Sequence, residues 1–372
     1  MVRTVRFPWY GSTMRLILCK QTAFEFWCRV DKPLEETSVR SRLCQANGAV
    51  GKAAELAAFP MMVQPAVLPT AKMLAFEASR PVLPEKDTGS FCSGVLASLP
   101  APLHVYTGIE ERRLPSKAIV CHQLSKPLPS GSLRRIGKDL YVSSPELCFV
   151  EMAGLLSPIQ LLEFGYLLCG TYPGRYPGEA PPARPPLTSC SKLASFAEAM
   201  KGRRGCASAR RAIGYIEEGS ASPRETQLAM LLSLPTKLGG YGFPKPQMNY
   251  RICFGKREKA LFGRDHIVLD LYWSRFRVAL EYDGQAFHSS DQRLSSDRRK
   301  EGELACRNII VMRIDKMQMR SSNHIYVIAK KLARLMGRRV PEPTTDQWRK
   351  RQQLFNQLHR QSLLNSLERH FR

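Results

Sequence analysis

The sequence predicts an α/β protein: a small mixed sheet flanked by helices in the C-terminal half, with an α+β domain before it. Three observations predict this. Residues 266–273 (HIVLDLYW) and 276–288 (FRVALEYDGQAFH) are β-branched and aromatic runs split by the polar pair Ser274-Arg275, which is a hairpin signal. The polar, helix-like stretch SSDRRKEGEL leads to NIIVMRID (308–315), which reads as a buried strand. Serine-led helix starts and an amphipathic run, HIYVIAKKLARLMGRR (324–339), supply the flanking helices.

The hairpin is the centre of the argument. With a loop of Ser274 and Arg275, Trp273 pairs with Phe276, Asp270 lies opposite Ala279, and Val268 lies opposite Glu281. Side chains alternate faces along a strand. Ile267, Leu269, Leu271, Val278, Leu280 and Tyr282 then share one face, and Asp270, Glu281 and Asp283 share the other. Three carboxylates on one face repel one another. A hard divalent cation with oxygen ligands relieves that repulsion, and Mg²⁺ typically uses one or two carboxylates plus water and substrate phosphate. A solvated acidic face is the structural alternative.

Taken in order, residues 1–34 form a basic, aromatic segment that includes helix-like character over Gln21–Arg29. Residues 35–172 read as the α+β domain. PLHVYTG, AIVCHQL and DLYVSSPE are strand-like, the last two around a basic turn, SGSLRRIGK, and Ser144-Pro145-Glu146 opens a helix with a serine cap and proline at the first position. A second helix follows over residues 157–172. Residues 173–190, with PGRYPGEAPPARPP, read as a Pro/Gly-rich linker. The next domain, 191–340, begins with helical SKLASFAEAM and the basic cluster Lys201, Arg203, Arg204, Arg210 and Arg211. That cluster suits backbone phosphates, or a solvated helix face. Ser222-Pro223-Arg224-Glu225 is a capping-box pattern, so Glu225 has a structural role available as well as a chemical one. MNYRICFG reads as the first strand of the sheet and GKREKALFGRD as a polar loop. Residues 341–372 predict an amphipathic helix, with Trp348, Phe355 and Leu358 on its apolar stripe.

Composition sets the partners. Fifty-six Lys and Arg against 32 Asp and Glu give a net charge of +24, which favours a polyanion such as DNA. No apolar run is long enough to span a membrane. The 11 cysteines show no C-x-x-C pair and no zinc spacing, so reduced thiols and a cytoplasmic location are expected. Cys148, Cys169, Cys253 and Cys306 sit in apolar company and read as small core residues.

Asp270, then Glu281-Tyr282-Asp283-Gly284, His288, Asp297-Arg298 and the closing strand with Arg313 resemble the very-short-patch-repair-endonuclease-like branch of the PD-(D/E)XK nuclease superfamily. Ser222–Glu225 is similar to that branch's first motif, so the resemblance spans roughly residues 200–340. It implies a restriction-endonuclease-like core acting on DNA. Asp270 and Glu281 would be the Mg²⁺ ligands, Glu225 an outer acid, Asp283 an added charge or a holder of the water, and His288 an acid/base. Arg298, Arg299 and Lys300 would track the nucleic-acid backbone. The superfamily's lysine two residues after the acid is absent, and Asp283 stands there. Members of this branch commonly show an acid at that point. YVSSPELCFVEMA and FGYLLCGTY are similar to the middle region of type IV abortive-infection antitoxin-like regulators. That second resemblance implies an alternative: a non-catalytic DNA-binding regulator with a toxin partner. Oligomeric state is left open.

Overall fold

The structure is a computed structural model describing residues 16–30, 95, 99–107, 119–124, 126–137, 140–174, 183–283, 300 and 302–360. It is a mixed α/β protein with two small mixed sheets flanked by helices. The chain divides into two compact units. The first is residues 1–155 with 192–210, and the second is 156–191 with 211–370. Among the described residues no helix is long and apolar enough to cross a membrane.

The first unit is built on strands β1 (Leu16–Leu18), β2 (Leu103–Thr107), β3 (Ile119–Gln123), β4 (Leu133–Gly137) and β5 (Leu140–Ser143), in the order β3-β2-β1-β5-β4. β1 is the central strand, parallel to β5 and antiparallel to β2, so the apolar patch near the N-terminus lies inside the sheet. The basic stretch expected to be a turn contains β4, which pairs antiparallel with β5. Leu133, Arg134 and Arg135 are half-buried there and Ile136 is buried, and the adjacent charges of Arg134 and Arg135 mask the strand in the sequence.

Helix α1 (Lys20–Arg29) buries Phe24, Phe26 and Trp27 almost completely, which explains its poor amphipathic period. The Trp27 indole donates to the Ser143 carbonyl at 2.8 Å. Helix α2 (Pro145–Met152) starts as predicted, with the Ser144 hydroxyl accepting the Leu147 amide.

The second unit opens with α3 (Pro158–Cys169), closed by a Ser157–Gln160 capping box. Residues 183–188, at the end of the Pro/Gly-rich stretch, fold back onto it. Arg184 is 2% exposed and donates to the Leu167 carbonyl at 2.8 Å, and the Leu187 amide bonds Leu168. Helices α4 (Cys190–Ala199) and α5 (Cys206–Ile213) follow, each running across a unit boundary. Next come α6 (Pro223–Ser233) and the second sheet: β6 (Gln247–Cys253), β7 (His266–Trp273), β8 (Val278–Asp283) and β9 (Ile310–Asp315). The first three strands are a meander, and β9 returns parallel to β8. Ile252, Phe254, Ile267, Leu269 and Leu304 form a core cluster on this sheet. Between β6 and β7, the expected polar loop contains helix α7 (Lys256–Phe262), capped by Glu258 bonding the Gly255 amide at 2.8 Å.

The hairpin register differs from the expectation. The turn holds four residues, Ser274 to Arg277, with Arg277 left-handed at φ 53°. Trp273 therefore pairs with Val278 and Leu271 with Leu280. Two extra loop residues preserve parity, so the acids still share a face. Cys148 and Cys169 are buried as expected, but Cys253 and Cys306 are exposed. Cys253 alternates outward next to buried Ile252, and Cys306 ends a helical turn. Helices α8 (Ser322–Leu335) and α9 (Thr345–Arg360) complete the unit, and α9 buries Leu354, Phe355 and Leu358 against it.

Candidate functional site

The site lies on the second sheet. Continuing the β7–β8 ladder one step beyond Leu271 and Leu280 puts Asp270 directly across from Glu281. The parallel β8–β9 ladder pairs Glu281 with Arg313, whose facing the sequence left open. Residues paired directly across a ladder project to the same side. Asp270, Glu281 and Arg313 thus form one row across three strands.

Two further groups close on the row. Lys300, on the helical segment before β9, donates its ammonium to a Glu281 carboxylate oxygen, and to the Val268 carbonyl at 3.1 Å. The expected role for Lys300 was a backbone-phosphate contact; its charge instead sits among the acids. On the other side, Asn249 occupies the β6 position facing Asp270, between the paired Met248 and Tyr250. It adopts φ 47°, a left-handed conformation that asparagine tolerates. Its amide donates to Glu225 Oε2 at 2.5 Å and to the Gly219 carbonyl at 3.0 Å.

Glu225 is 7% exposed at the start of α6. Its carboxylate accepts the Ala221 amide at 2.9 Å and the Ser222 hydroxyl at 2.8 Å, while the Ser222 oxygen accepts the Glu225 amide. Half of the expected capping box is therefore present: the serine caps the helix, while the carboxylate holds the Ala221 amide and the Ser222 hydroxyl in place of the Ser222 amide. Through Asn249 the same carboxylate is also tied to the strand beside Asp270.

Electrostatics singles out Asp270. Burial pushes its carboxyl up to about 7, and the charges of Glu225 and Glu281 push in the same direction. The Tyr282 amide, donating to Asp270 Oδ2 at 2.9 Å, and the Lys300 ammonium pull it back. A half-buried carboxyl pushed up first by burial and further by two other acids is a group that a nearby cation would ionise.

Asp283 is exposed at the end of β8, across from Asp315. His288, Asp297, Arg298 and Arg299 lie outside the described residues. The basic cluster is partly spoken for. Lys201 and Arg210 both pair with Glu198, at 3.8 and 3.2 Å, and the Arg203 guanidinium donates to the Pro127 carbonyl. Arg204 and Arg211 are exposed.

Among the described residues no group of three His, Cys, Asp or Glu side chains is arranged to hold a metal ion. Asp270 and Glu281, as adjacent hard oxygen donors on the two central strands of the sheet, nevertheless fit Mg²⁺, which needs only one or two protein carboxylates. The sequence did not reveal Lys300 or Asn249 as members of the site. Lys300 is 19 residues beyond Glu281 on a separate segment, so a search for lysine two positions after the acid passes it by. No family model, curated protein or solved structure matches the chain.

Proposed function

We propose that the second unit is a metal-dependent, endonuclease-like domain that hydrolyses phosphodiester bonds in DNA, built on a restriction-endonuclease-like core. The observation that carries this reading is the direct cross-strand placement of Asp270 and Glu281 with a lysine ammonium among them. Asp270 and Glu281 would hold Mg²⁺, which when bound supplies a polarised phosphate and an acidified water.

The chain's own residues do the rest. The Tyr282 amide fixes the Asp270 carboxylate. Lys300 neutralises Glu281 and lies where it can turn to the charge developing on a phosphate. Glu225, locked by Asn249 and its own cap, keeps a negative charge behind Asp270 that favours cation binding. Asp283 adds charge or holds the attacking water, and His288 would pass the proton. The net charge of +24 draws the polyanion.

The alternative, a non-catalytic DNA-binding regulator of the abortive-infection antitoxin type, is favoured by one observation: Lys300 already occupies Glu281. Incubation of the purified chain with plasmid DNA at low salt, with Mg²⁺ or Mn²⁺, separates the two. The nuclease reading expects cleavage that Asp270→Asn abolishes while DNA binding persists. Intact plasmid with both metals, alongside tight DNA binding, leaves the regulator.

A further inference from the structure

The first unit contains a cavity of about 370 Å³ that the nuclease reading does not use. Four cations line it: Lys20 at the start of α1, Lys126 beyond β3, and Arg203 and Arg204 from the turn after α4. They come from three separated segments, so the convergence is a product of the fold. Among the described residues neither Lys126 nor Arg204 meets an acid, and both are exposed.

The turn that carries the arginines is held tightly. A Cβ on Gly205, at φ 86°, would lie 2.3 Å from the Val150 carbonyl oxygen, so only glycine lets the turn press against α2. Arg203, through Pro127, ties that turn to the segment bearing Lys126. Lys20 is aimed by a relay: its Nζ donates to His122 Nδ1 at 2.8 Å, and His122 Nε2 meets His104 Nδ1 at 2.8 Å.

Among the described residues Glu151 is the one acid lining the cavity. Its carboxylate accepts the Lys20 amide at 2.9 Å, the Ser143 hydroxyl at 3.3 Å and the Tyr106 hydroxyl. It is therefore committed to the protein, and burial pushes its carboxyl up to about 7. The C-terminal end of α2 adds only about half a negative charge. Four positive charges thus exceed the negative charge around them by more than two. The remaining wall is apolar, with Leu128, Leu147 and Met200. An apolar cavity of this size with a few convergent polar groups is typical of a small-molecule site, commonly about 300–1,000 Å³.

We infer that the first unit binds a small organic phosphate of about mononucleotide size, with its phosphate between Lys126, Arg203 and Arg204 and its organic body against Leu128, Leu147 and Met200. A dianion matches the surplus charge, and the apolar wall gives an organic body an advantage over free phosphate.

Isothermal titration of the full chain with each of the four ribonucleoside monophosphates tests this, with adenosine and inorganic phosphate as controls. At least one monophosphate is expected to bind at least about tenfold tighter than either control, a difference of about 1.4 kcal/mol. The double variant Lys126→Glu/Arg204→Glu is expected to weaken that binding at least about tenfold with the ligand-free melting temperature unchanged. The single variant Arg204→Ala serves if the double variant does not fold. Absence of monophosphate binding, equal binding of a control, or affinity indifferent to these substitutions overturns the inference.

Discussion

Replacing Asp270 by Asn should stabilise the protein, and by an amount that grows with pH. Asn keeps the shape and can still accept the Tyr282 amide, but carries no charge. In the folded protein the Asp270 carboxyl sits at about 7 against an ordinary value of 3.8. The native state therefore retains a proton that the unfolded chain releases between those values. Stability contributed by this group is greatest below about pH 4 and falls as pH rises to about 7. At about 1.36 kcal/mol per unit, wild type should trail Asp270→Asn by about 1.5 kcal/mol at pH 5 and about 4 kcal/mol at pH 8. Urea denaturation of both proteins at the two pH values measures this, since other titrating groups cancel in the difference. A gap that stays constant with pH, or a variant less stable than wild type at pH 8, would refute the account of a buried, charge-crowded acid.

Lys300→Met removes a cation that pulls the Asp270 carboxyl down, so in the metal-free protein that carboxyl should titrate higher than in wild type; an NMR titration of the carboxyl whose midpoint stays fixed or falls counts against this. Asn249→Ala should cut Glu225 loose from β6 and destabilise the second unit by about 1–2 kcal/mol, while Glu225 keeps its cap; denaturation midpoints report it, and an unchanged midpoint contradicts it. Gly205→Ala forces a Cβ to within 2.3 Å of a carbonyl oxygen at φ 86° and should lower stability by about 3 kcal/mol, against an expectation of no change if the turn is free to shift.

Much of the second sheet was legible because its strands carry strong apolar alternation. The length of the β7–β8 turn was not, because Arg277 takes a left-handed conformation without the glycine that would announce it. The facing of Asp270 and Glu281 survived the wrong register because the error was an even number of residues. Helix α7 is short and polar, and its stabilising Glu258 cap follows a glycine with no side-chain oxygen, so its start carries no serine or aspartate signal. Arg313 could be placed only by the parallel ladder to β8, which no local pattern encodes. Arg203 and Arg204 stood out as a basic cluster, yet their company with Lys20 and Lys126 depends on contacts between segments far apart in the chain, such as the 76 residues between Pro127 and Arg203. Local chemistry was thus readable, and convergence from distant segments was not.

The most direct measurement of the central claim is Mn²⁺ binding followed by electron paramagnetic resonance at pH 8, with wild type beside Asp270→Asn and Glu281→Gln. The account predicts a bound ion in wild type that either substitution removes from an intact fold. Equal Mn²⁺ binding by all three proteins, or none by wild type, would contradict it.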